Sequence, residues 1–178
     1  LTLPTGNVTA DKFLKVASVS GSGATGIGQL SFADAAGTSP SFLAYLSSDQ
    51  TVTDATNTKI QFNTEDHDTD NAYDNSTNYR FTPQTAGKYF FYATSRFDTD
   101  TDFQNCELQV HKNGSQYSDV TWRNEYYEVA TVTGVAVMNG SSDYLELFIY
   151  QNSGSSKDIG YDSGNRFLTK MGAYKIIE

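Results

Sequence analysis

Two runs of oxygen-bearing side chains are the densest chemistry in the sequence. They are Glu65-Asp66-His67-Asp68-Thr69-Asp70-Asn71 and Asp98-Thr99-Asp100-Thr101-Asp102. A hard cation such as Ca²⁺ gathers about six to eight oxygens, so Asp66, Asp68, Asp70, Asp98, Asp100 and Asp102 are candidate Ca²⁺ ligands. The first run is not an EF-hand loop, because Thr77 stands where the twelfth-position Glu belongs. A solvated acidic loop between strands explains the same residues without an ion. A second patch, Trp122, Glu125, Tyr126 and Tyr127, puts aromatic faces beside a carboxylate. That combination suits contact with a receptor or a sugar, and cross-strand packing is its structural alternative.

Catalysis has less to build on. Glu125 and Glu128 are separated by an odd number of positions, so a regular strand sends them to opposite faces and not to one glycosidic bond. His67, His111 and Cys106 are too scattered for a zinc site. No nucleophile elbow occurs in a strand-to-helix setting. Gly21-Ser22-Gly23-Ala24-Thr25-Gly26 lacks the Lys-Ser/Thr ending of a phosphate loop. The expectation is a protein that is not an enzyme.

The elements that would position these groups are strands. Leu145, Leu147 and Ile149 share a parity with Glu146 opposite; Leu108 and Val110 do the same against Glu107, Gln109 and His111. Cys106 has the parity of Leu108 and is expected to point inward. Strands are expected over Ser41–Leu46, Lys59–Phe62, Tyr79–Phe81, Lys88–Thr94, Cys106–His111, Glu125–Thr133, Gly134–Met138, Tyr144–Tyr150 and Gly172–Ile177. Asn113-Gly114 and Asn139-Gly140 supply hairpin turns. No segment sustains a helical period. Short strands with regular turns point to a sandwich or barrel. One strand is unusual: Tyr89 and Phe91 face one way, Phe90 and Tyr92 the other. A sandwich strand needs only one buried face. The second aromatic face is expected to meet a ligand groove or, preferably, another subunit.

Composition limits the partners. The chain has 178 residues with Lys+Arg 12 and Asp+Glu 21, a net charge of −9. Nucleic acid and anionic lipid are disfavoured as partners, and no apolar run is long enough for a membrane span. Tyr 12 and Phe 11 are too many aromatics for a disordered chain. A single cysteine allows no intrachain disulfide and fits a reducing compartment. The first residue is Leu and no signal segment follows it, so the chain is expected to be part of something longer. Residues 1–37 are small and polar and read as a spacer or stalk; residues 38–178 read as a globular head.

The order of motifs in the head resembles a known family. Tyr73-Asp74, then Tyr79-Arg80-Phe81-Thr82-Pro83, then Gly87-Lys88-Tyr89-Phe90-Phe91, then Lys112-Asn113-Gly114, and finally Phe167 to Tyr174 follow one another. The set is similar to the globular heads of complement C1q and its tumour-necrosis-factor-like relatives. The resemblance implies an all-β jelly-roll sandwich of about ten antiparallel strands, a homotrimer, and binding instead of catalysis. Some family members carry Ca²⁺ near the trimer axis. Residues 1–37 lack the collagen period. Leu3-Pro4-Thr5-Gly6 to Ala10-Asp11-Lys12-Phe13-Leu14-Lys15-Val16, and Gly28-Gln29-Leu30-Ser31-Phe32-Ala33, instead resemble spacers of bacteriophage tail fibres and related virion appendages. Together these imply a virion appendage assembled in the host cytoplasm. Its N-terminal segment would join other virion proteins, and its head would attach to a host glycan or protein. A capsid decoration or collar protein, a free carbohydrate-binding module and a polysaccharide-degrading tip are the competing readings.

Overall fold

The structure is a computed structural model that describes residues 12–20, 27–34, 39–98, 103–124, 128–160 and 168–176. Backbone contacts divide the chain into two units, Leu1–Thr38 and Ser39–Glu178. In the first unit, β1 (Lys12–Ser20) pairs antiparallel with β2 (Ile27–Asp34). Leu14 pairs with Phe32 and Val16 with Leu30, so the two short apolar runs of the spacer lie in register. A bulge follows Val16. The spacer expectation did not include this hairpin.

The second unit is all β; no helix occurs among the described residues. One sheet runs β12 (Val129–Met138), β9 (Gly87–Arg96), β15 (Lys170–Lys175), β3 (Ser41–Tyr45) and β6 (Thr64–Asp68). The facing sheet runs β11 (Ser115–Asn124), β10 (Phe103–Lys112), β13 (Leu145–Tyr150), β8 (Arg80–Phe81) and β7 (Tyr73–Asp74), with β5 (Thr58–Lys59) also on β13. A small ribbon of β4 (Gln50–Val52) and β14 (Lys157–Ile159) lies beside them. This is a jelly-roll sandwich, as the resemblance implies.

Period-2 alternation builds the core. Leu108 opposes Ile149 and Val110 opposes Leu147 across β10 and β13, and all four are buried. From the other sheet, β9 contributes Tyr89, Phe91 and Ala93 at 0% exposure. The rings interlock. Phe42 stacks on Phe81 at 4.4 Å and on Tyr73 at 4.9 Å, and Phe81 meets Tyr89 edge-on at 5.5 Å. Each such ring buries enough apolar area to be worth about 2–3 kcal/mol, and paired rings add to that. Cys106 is buried on this inner side, as its parity predicts.

Side chains fix the turns. Asn113 and Gly114 both have positive φ, the requirement of the tight hairpin between β10 and β11. The Asn139 side-chain oxygen accepts the N–H groups of Ser141, Ser142 and Asp143. Asp143 then accepts from the Asn113 amide at 2.8 Å and Lys112 Nζ at 3.2 Å, tying the two hairpin loops together.

Several boundaries differ from the sequence reading. Thr64–Asp68 is an edge strand, not a loop. Ser115–Asn124 is a full strand, and Val129–Met138 runs unbroken through Gly134. Gly134 is required because the Phe91 ring lies over it, within 2.5 Å of where a Cβ would stand. Lys59–Phe62 shrinks to Thr58–Lys59. The aromatic stack makes a simple prediction. Phe81→Ala should lower unfolding stability by about 3–5 kcal/mol, measured by denaturant unfolding at fixed protein concentration.

Candidate functional site

The four aromatics of β9 separate cleanly. Tyr89 and Phe91 are core, while Phe90 and Tyr92 point out of the sandwich. Cross-strand register shows what surrounds them. Phe90 sits between Val135 on β12 and Tyr174 on β15; Tyr92 sits between Thr133 and Gly172. Leu43 and Tyr45 of β3 continue the same outward parity. The result is a broad apolar face on an outer sheet surface. Tyr174 is 47% exposed, Val135 44% and Val137 60%. Phe90 and Tyr174 rings lie 5.4 Å apart.

Gly172 gives this face its shape. The Tyr92 ring lies across it, 2.6 Å from the position of a Cβ, and the Phe42 carbonyl oxygen stands 2.9 Å away on another side. Burial raises the Tyr92 hydroxyl pKa, and Asp66 and Tyr174 push it the same way. The β12 edge is partly closed from the facing sheet. The Tyr117 hydroxyl donates to the Val135 carbonyl at 2.9 Å, and Lys112 Nζ donates to that of Val137 at 2.6 Å. These contacts occupy acceptors that a bare edge strand would offer to another chain.

The outer surface of the other sheet is different in kind. Lys59 pairs with Glu146, and the Gln109 amide donates to Glu107 at 2.7 Å and Asn57 at 3.3 Å. His111 Nε2 bonds Gln109 Oε1 at 2.9 Å, and its ring stacks on Phe148 at 4.3 Å. Burial lowers the His111 pKa, partly offset by Glu146. These polar groups satisfy one another.

Among the described residues the candidate Ca²⁺ ligands do not come together. Asp66 and Asp68 lie on β6, where Asp68 pairs with Phe42, and Asp70 follows directly. Asp98 follows the far end of β9, beyond Thr94, which pairs with Lys170 opposite Tyr45. Asp70 and Asp98 therefore lie toward opposite ends of the sheet. Asp100 and Asp102 lie outside the described residues. Among the described residues no three of His, Cys, Asp or Glu stand close enough to hold a metal. Asp68 has another role: its carboxylate accepts the N–H groups of Asp70 at 3.2 Å and Tyr73 at 2.7 Å, shaping the loop.

The Trp122 patch also changes. Trp122 pairs with the buried Cys106, so it faces inward, half-buried, with its ring 6.1 Å from Phe97. It is packing, not a displayed platform. Glu125, Tyr126 and Tyr127 lie outside the described residues.

No family model matches the chain, and no curated protein matches it. Solved structures do. Murine APRIL, of the tumour-necrosis-factor family, superposes at pH 5.0 with a TM-score of 0.60 and 11% identity. The match covers 78% of this chain and 100% of APRIL. The head is a tumour-necrosis-factor-like jelly roll. Murine APRIL at pH 8.0 gives 0.57, 12% identity, and the same 78% and 100% coverage. The globular domain of zebrafish complement 1qA gives 0.48 at 14% identity, over 78% of this chain and 98% of that one. That superposition is too loose to add to the assignment.

Sequence reasoning had located Phe90 and Tyr92 but missed Tyr174, Val135, Val137 and Gly172. Their outward parity was readable; their adjacency required the register. Two predictions follow from this geometry. Gly172→Ala should displace the Tyr92 ring and cost about 1–3 kcal/mol, read by denaturant unfolding. Asp74 accepts from the N–H groups of Ser76, Thr77 and Asn78, which hold its carboxyl far below the ordinary range. A depressed carboxyl stabilises the fold above its unfolded pKa and loses that contribution as pH falls below about 4. Asp74→Asn should therefore unfold more easily at pH 6 and show a shallower loss of stability between pH 6 and pH 2.5.

Proposed function

We propose that the chain is a non-enzymatic, homotrimeric attachment module of a virion appendage, such as a phage tail fibre. The apolar outer face of the β12–β9–β15–β3–β6 sheet carries this reading. A monomeric protein rarely leaves so continuous an apolar surface in water, and obligate interfaces resemble cores. C1q/TNF-like proteins are homotrimeric, which supports three copies over two. Burying Phe90, Tyr92 and Tyr174 would supply the apolar area that holds the copies together.

Attachment rests on a different support, the likeness of the N-terminal segment to tail-fibre spacers. The leading segment joins other virion proteins, and the heads meet a host surface. Three weak contacts made together gain avidity through effective concentration, without any tight single site. The net charge of −9 fits a surface kept soluble at high local copy number.

Light scattering tests the assembly. The wild-type chain should have about three times its 19.5-kDa mass, and Phe90→Lys with Tyr92→Lys should shift it to monomer while the β spectrum persists. A wild-type monomer at all concentrations would refute the trimer. For attachment, purified trimer should block adsorption of the parent virion to a permissive host. Failure to compete, with the protein located at a capsid or collar position, would favour a purely structural role.

A further inference from the structure

Among the described residues, β1 pairs with β2 alone. A two-stranded hairpin is marginal in water and gains stability by packing one face against something else. The register supplies such a face. Leu14 opposes Phe32 and Val16 opposes Leu30. Opposed positions, and those two apart on one strand, share a face of the ribbon, so positions 14, 16, 30 and 32 form one apolar block. The block has polar limits. Lys12 opposes Asp34 at one end, and past the bulge after Val16, Ser18 opposes Gln29 at the other. In the single chain Leu14 is 49% exposed and Val16 59%, as open as Val137 on the outer face of the head.

The way the chain enters the head points to the occupant. β2 ends at Asp34, and the head begins at Ser39. The few residues between them reach at most about 18 Å. The Ser39 hydroxyl donates to the Lys175 carbonyl at 2.8 Å, and the Lys175 N–H donates to the Pro40 carbonyl at 2.9 Å. Ser41 then pairs with Tyr174, which itself pairs with Phe90. The chain therefore enters the head in the row of the outer aromatic face. When three copies bury that face, three entry points are gathered with it, each carrying a hairpin on a short tether. Short tethers hold their cargo at millimolar effective concentration. A block too small to associate from dilute solution associates there.

We infer that the β1–β2 hairpin is a second contact between copies of this chain, its apolar block packing against the same block of the other two copies. The inference rests on the trimer proposed above and goes beyond it. The heads bring the copies together, and the hairpins then add to the assembly instead of driving it.

The test uses the full chain carrying Val16→Cys. Cys106 is buried, so the new thiol is the reactive one in the folded protein. Its reaction with a small disulfide reagent should be about tenfold or more slower in the trimer than in the monomer made by adding Phe90→Lys and Tyr92→Lys. Oxidation of the trimer should join copies as covalent dimers. Fast reaction in a trimer overturns the hairpin contact and leaves the head assembly standing. Slow reaction in trimer and monomer alike means that the chain itself covers position 16, which also overturns the contact. A wild-type monomer, identified by light scattering, takes both readings down. Leu14→Lys with Val16→Lys gives an independent check. The heads should still form trimers, but dissociation on dilution should set in at about tenfold or more higher concentration. An unchanged midpoint overturns the contact.

Discussion

Strand β9 carries large rings on both of its faces, and the rest of the head is arranged around that fact. On the inner side, Tyr89 and Phe91 fill the space between the sheets and require Gly134 across from them. On the outer side, Phe90 and Tyr92 lie against Tyr174 and Gly172. Both glycines stand where a neighbouring ring occupies the volume of a Cβ. The sequence thus gives up β-propensity at two positions to accommodate rings on opposite faces of one strand. A surface that existed only to face water would need no such fit at Gly172.

The two outer surfaces of the sandwich show why this matters. Around β13, Lys59, Glu146, Gln109, Glu107 and His111 form a connected polar network over Phe148. Its groups are paired within one chain, so this surface is complete in a monomer. Around β9 and β15 the outward groups are largely aromatic and β-branched, and among the described residues Tyr174, Val135 and Val137 stand exposed. The physical asymmetry between a satisfied and an unsatisfied surface is stronger ground for assembly than any motif.

Much of the architecture was readable from local pattern. Leu145, Leu147 and Ile149 declare their face, and Asn113-Gly114 declares its turn. The failures have physical causes. Thr64–Asp68 reads as a loop because Glu and Asp are poor strand formers, yet an edge strand beside β3 tolerates charge. Gly134 looked like a break because a glycine has no local sign that a distant ring needs its space. The two acidic runs read alike as candidate cation ligands because sequence hides where on a sheet each run lies. Trp122 looked displayed because its inward direction follows from pairing with Cys106, a register no local pattern reveals.

The central claim is that the outer aromatic face is covered by other copies of the chain. Oxidative footprinting of tyrosines in the intact wild-type protein tests it most directly. In a single chain Tyr174 is 47% exposed, more than the half-buried Tyr150 on the opposite outer surface. The account predicts an inversion, with Tyr174 and Tyr92 protected and Tyr150 modified. Tyr174 reacting faster than Tyr150, as the isolated chain requires, would contradict it.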